Sequence, residues 1–97
     1  MYIHGMARIV VKLRNSDDKI LAKRTIQVRG KFRFQLIAAA KVLQIISGYR
    51  EVYGEHIKRA TIELINISDC DVFVSLVKKY SPVPIEFVVF AEVKHIV

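Results

Sequence analysis

Hydrophobic and basic residues alternate along the first third of the chain. Over residues 7–14, Ile9, Val11 and Leu13 fall on one side and Arg8, Lys12 and Arg14 on the other, because successive side chains of a strand point to opposite faces. Over residues 19–29 the pattern repeats, with Ile20, Ala22, Ile26 and Val28 opposed to Lys23, Thr25, Gln27 and Arg29. Arg24 alone breaks it. The Asn15-Ser16-Asp17-Asp18 string between the two runs has the composition of a turn. The pair therefore predicts a β-hairpin, apolar on one face and positively charged on the other.

The pattern then changes period. Residues 34–53 are rich in Ala and Leu, contain no Pro and are followed by Gly54, which predicts the principal helix with a glycine C′ position. Its expected core stripe is Leu36, Ile37, Ala40, Leu43 and Ile46. Ala38, Ala39, Val42 and Ile45 leave little of the opposite side polar, so the helix is expected to be covered twice, by the sheet and by a second helix or a second subunit. Residues 57–67 predict a third strand, with Ala60, Ile62 and Leu64 on one face and Ile65 and Ile67 on the other. Ser68-Asp69-Cys70-Asp71 opens a short helix in the manner of a capping box, and Ser81-Pro82-Val83-Pro84 ends it. Residues 85–93 are β-branched and aromatic enough for a last strand, whose continuous apolar stretch over residues 87–91 predicts burial on both faces. The third strand, second helix and last strand form an expected right-handed βαβ crossover with parallel strands. The whole is one domain over residues 1–97 in the order ββαβαβ, an α/β (α+β) architecture with helices packed on a mixed sheet.

Composition sharpens this picture in two respects. Hydrophobic residues make up 53% of the 97 residues, and Gly and Pro together number six, so nearly the whole length is expected to be ordered. The formal charge is +7, and nine of the sixteen Lys and Arg residues lie between Arg8 and Arg33 against two acids, Asp17 and Asp18. That asymmetry favours an anionic partner. A single cysteine, Cys70, excludes an internal disulfide framework and suits a reducing, cytoplasmic location. Residues 1–6 lack the features of a secretory signal and no apolar run reaches the roughly 18 residues of a membrane span, so no membrane association is expected.

Candidate chemistry follows from the charged face. Arg8, Lys12, Arg14, Lys23 and Arg29 are the expected phosphate contacts, with Lys31 and Arg33 extending the track. Phe32 and Phe34 alternate with those last two cations; such aromatics stack on unpaired bases or pin a helix entry into the core. Asp69 and Asp71, at the carboxyl end of an expected parallel strand, are the candidate metal ligands. Helix capping accounts for the same two residues without a metal. His4, His56 and His95 have no ligand spacing, Ser47, Ser68 and Ser75 lack an elbow-type glycine context, and no glycine-rich phosphate loop occurs. No catalytic residue and no cofactor is therefore assigned. The leading expectation is a small, basic, non-enzymatic nucleic-acid-binding protein, for DNA or RNA, forming a homodimer. A metal-dependent nuclease and a homo-oligomeric assembly subunit are the alternatives.

Three strings resemble part of the ribonuclease H-like fold. FQLIAAAKVL looks like the first helix of that family, IELINISDCDVFVSLV like the strand whose Asp-Ser step leads into its second helix, and FAEVKHI like its Val-Lys-Gly-His strand end. The resemblance covers about residues 8–97. It implies that Asp69 matches the second acidic position of the metal centre and that His95 approximates the terminal histidine. Gln35 stands where the family's helix glutamate belongs, and a neutral amide does not supply the charge that draws in two Mg²⁺ ions. The resemblance thus implies a reduced version of the fold without the nuclease machinery.

Overall fold

The computed structural model describes residues 2–4, 7–28, 35–90 and 93–95. Among the described residues nine elements follow one another: β1 (Tyr2–His4), β2 (Arg8–Arg14), β3 (Ile20–Gln27), α1 (Gln35–Tyr53), a 3₁₀ turn (Gly54–His56), β4 (Arg59–Ile65), α2 (Asp71–Tyr80), β5 (Ile85–Phe90) and β6 (Val93–His95). Four strands form a mixed sheet in the order β3-β2-β4-β5. β2 runs antiparallel to both β3 and β4, and β4 is parallel to β5. The ββαβαβ order is that of these four strands and two helices. Two short strands are added to it: β1 and β6 pair antiparallel in a separate ribbon that sets Tyr2 opposite His95. The single strand expected over residues 85–93 thus ends at Phe90, and Val93 opens a different element.

The hairpin turn is held by one side chain. Asn15 Oδ1 accepts the backbone N–H groups of Asp17 at 3.0 Å and Lys19 at 2.9 Å, while Asp18 takes the left-handed conformation at φ 64. Asp tolerates that region better than most residues with a side chain. The register shifts between Leu13 and Arg14, so that Leu13 faces Ala22 and Arg14 faces Ile20.

Ile9, Val11 and Leu13 of β2 lie in register with Leu64, Ile62 and Ala60 of β4, and these join Ile46, Val42, Phe73 and Val77 in one buried cluster. Both helices therefore cover the same face of the sheet. Gly54 follows α1 at φ +59, the backbone conformation for which glycine is favoured at a helix end. After α2, Ser81 N–H donates to the Val77 carbonyl, and the Ser81 hydroxyl donates to the Val83 carbonyl at 2.6 Å and accepts the Val83 N–H. The Pro84 carbonyl then accepts the Ala60 N–H, tying the turn to the start of β4.

Two packing expectations are corrected. The buried residues of α1 are Ala38, Ala39, Val42 and Ile46. Leu36 and Ile37 are 67% and 54% exposed, Ala40 is also exposed, and Leu43 is only partly buried. In a helix apolar nearly all round, periodicity does not fix the phase; here the face of Ala38, Ala39, Val42 and Ile46 turns inward and Leu36 and Ile37 are left outside. β5 is likewise not buried on both faces: Val89 is 64% exposed and Phe90 44%. It is an edge strand, and both helices lie on one side of the sheet.

Candidate nucleic-acid interface

The face away from the helices is built by register. Residues opposite one another in adjacent strands project to the same side, so Arg8, Lys12 and Arg14 of β2 share a face with Gln27, Thr25 and Lys23 of β3 and with Ile65, Glu63, Thr61 and Arg59 of β4. Lys12 stands directly opposite Lys23. β5 adds Glu86, Val88 and Phe90 to this face. Positive charge is thus concentrated on β2 and β3, with Arg59 as an addition that the hairpin pattern did not reveal. Glu63 and Glu86 make the far half acidic. Val10, Thr61 and Ile65 are buried on this side despite its distance from the helices.

The cations are not equivalent. Lys12 Nζ lies 2.7 Å from Glu63 Oε2, with the two side chains 19% and 18% exposed, so its charge is already matched. Arg14 donates from Nε to Thr61 Oγ1 at 3.1 Å and from Nη1 to the Asp18 carbonyl at 3.0 Å. Arg59 Nη2 lies 2.5 Å from Asp18 Oδ1; both groups are open to solvent, and such a pair contributes little to stability. Lys23 is exposed on the edge strand. Arg24 faces Val11 in the register and so belongs to the helix-bearing face, which accounts for its break in the alternation. Arg29, Lys31 and Arg33, together with Phe32 and Phe34, lie outside the described residues.

The Asp69 end is arranged differently from expectation. The N-cap of α2 is Cys70, which makes no side-chain capping hydrogen bond. Asp69 is exposed in the preceding loop at φ 55, and Ser68 is exposed as well, so the capping box over Ser68 and Asp71 is not formed. Asp71 remains in the first turn, where a carboxylate is favoured by the helix dipole. The cap comes from the other helix: Gln35 Oε1 accepts the Phe73 N–H at 2.8 Å across 38 residues of sequence. The Gln35 amide is therefore a structural acceptor. Replacing Gln35 with Ala should cost about 0.5–2 kcal/mol, as loss of a helix cap does, and Gln35→Glu should keep most of that stability. A urea midpoint unchanged in Gln35→Ala would refute the assignment.

These residues do not fit a two-Mg²⁺ centre. Gln35 is engaged with α2, and among the described residues no three His, Cys, Asp or Glu side chains gather where a metal ion would need them. Burial pushes the Cys70 thiol above its ordinary pKa, a backbone hydrogen bond opposes the shift, and Asp71 and Asp69 add to it. The folded chain then keeps a proton that the unfolded chain releases first, so stability from this group falls as pH rises through the ordinary thiol range. Alkylation of Cys70 should reach half its limiting rate at a higher pH than in a free cysteine peptide; coincident profiles would contradict the shift.

Comparison with protein-family models, curated proteins and solved structures finds no match to this chain. Among the described residues no helix is long and apolar enough to cross a membrane.

Proposed function

We propose that this chain is a small cytoplasmic, non-enzymatic nucleic-acid-binding protein that contacts phosphates through the helix-free face of its sheet. The observation that carries the reading is the register of β2, β3 and β4, which gathers Arg8, Lys12, Arg14, Lys23 and Arg59 on one side. Lys12 and Lys23 are set opposite each other, with Glu63 matching the Lys12 charge. A polyanion lying across them meets Lys23 directly and Lys12 where a phosphate displaces Glu63. Lys23 and Arg59 are the outer contacts, and Lys12 and Arg14 are held in place by Glu63, Thr61 and Asp18.

The test is anisotropy of labelled single-stranded DNA, duplex DNA and RNA, comparing the native chain with Lys23→Glu. The exposed position of Lys23 means the variant should fold normally, and binding should weaken about tenfold or more, as expected when a contact charge is reversed. Equal affinities would remove this face from consideration.

A second reading, self-association, is supported by the exposure of Leu36, Ile37, Val72 and Val89. Sedimentation velocity showing a monomer across the concentration range would eliminate it.

A further inference from the structure

Among the described residues β3 is an edge strand, paired on one side to β2. On the helix-bearing side a depression of about 380 Å³ lies between its Arg24 and α1, lined there by Gln44, Ile45, Gly48, Tyr49 and Val52. The α1 residues are spaced 44, 45, 48, 49 and 52, one stripe of a helix. Val52 is 74% exposed, although Ile45 and Tyr49 beside it are partly buried against the core. Gly48 leaves the wall low: a Cβ there would meet nothing within 4 Å.

We propose that this groove and the free edge of β3 bind an extended acidic segment of a partner protein, added to the sheet as a fifth strand. Strand addition obtains affinity from main-chain hydrogen bonds and specificity from the pockets that receive alternate side chains. An added strand places every second side chain over Ile45, Tyr49 and Val52. The intervening side chains project to the other face, beside Lys23 and Thr25. The occupant is therefore a segment that alternates apolar and acidic residues. Charge selects it. Lys19 precedes β3, Lys23 and Arg24 lie within it, and among the described residues the groove lining contains no carboxylate. The acid on this part of α1, Glu51, lines the separate depression with Arg50, Gly54 and Pro82.

The same charges argue against a second copy of β3 as the occupant. Antiparallel pairing of β3 with itself about its middle brings either Lys23 or Arg24 opposite its own copy, depending on register, and like charges on an edge strand are a common defence against such pairing. An acidic strand meets the opposite condition.

The proposal is tested with a fluorescein-labelled ten-residue peptide alternating Val and Glu, titrated with the protein to about 1 mM. A peptide alternating Val and Lys serves as the counter-probe. The acidic peptide should bind and its basic counterpart should not. Lys23→Glu, at the position beside the acidic side chains, should weaken binding at least about tenfold. Gly48→Leu should weaken it as much while raising Tm, because it fills the groove and removes a glycine from a helix interior. Loss of affinity in a better-folded variant separates occlusion from unfolding. The proposal is overturned if the native chain fails to bind the acidic peptide, if Gly48→Leu binds it unchanged, or if the β3 edge amides are already protected from exchange by self-association.

Discussion

Phe73→Ala is expected to destabilise the protein by about 3–5 kcal/mol, the range for removing a large aromatic from a core. Phe73 is fully buried on the first turn of α2 and meets the Phe87 ring edge-on, with centroids 6.4 Å apart and planes at 78°. It joins α2 to β5, and through the core cluster to Ile62, Leu64 and Val42. The vacated space has little means of closing. The backbone of residue 73 is tied to Gln35, and the segments flanking the helix are tied by Asn66 N–H to Phe90 O and by Ala60 N–H to Pro84 O. A domain of this length has a total stability on the order of 5–15 kcal/mol, so the substitution removes a large share of it. Urea denaturation followed by circular dichroism measures the loss. Val72→Ala, one residue away at an exposed position, should change stability by no more than about 0.5 kcal/mol. Similar midpoints for Phe73→Ala and the native chain would mean that α2 is not packed on the sheet as described.

The inward residues of the hairpin and β4 were legible from alternation, Ile9, Val11 and Leu13, and Ala60, Ile62 and Leu64, whereas the burial of Val10, Thr61 and Ile65 on the other face was not. The extent of α1 was legible to within one residue, from its composition and Gly54. Its phase was not. Nine apolar residues distributed around Leu36–Ile46 allow several stripes, and the choice among them is made by contacts with α2, including the Gln35 to Phe73 bond. That bond had no local signal, since its partners are separated by 38 residues. The edge position of β5 was hidden for a related reason: an apolar run reads the same at the centre of a sheet and at its margin, and topology decides. The loop before α2 did carry an unused cue. Asn66 and Asp69 both adopt positive φ, and Asn and Asp are the side-chain-bearing residues enriched there, which favours a tight loop over a helix begun at Ser68. At the candidate interface, the cations were legible from alternation, but their partners Glu63, Thr61 and Asp18 were not, because two of these lie on a different strand.

Nucleic-acid affinity should fall steeply with salt, and the partners just described set how steeply. Each phosphate neutralised releases condensed counterions, giving a slope of log K against log salt of about −0.9 per contact on duplex DNA and about −0.7 on single strands. Arg8, Lys12, Arg14 and Lys23 share the β2–β3 part of the face. If all four reached phosphates, raising salt from 50 to 200 mM would weaken duplex binding by roughly 150-fold and single-strand binding by roughly 50-fold. Lys12 is held 2.7 Å from Glu63, so it contributes fully only when a phosphate displaces that carboxylate. A slope below that of four contacts is therefore expected for the native chain. Glu63→Gln should release Lys12, strengthen binding at low salt and steepen the slope by somewhat less than one unit. Polyanion binding at this face requires both changes together. A native slope near zero, or a Glu63→Gln variant with the native slope and affinity, would mean that the basic side of the sheet serves something other than phosphate.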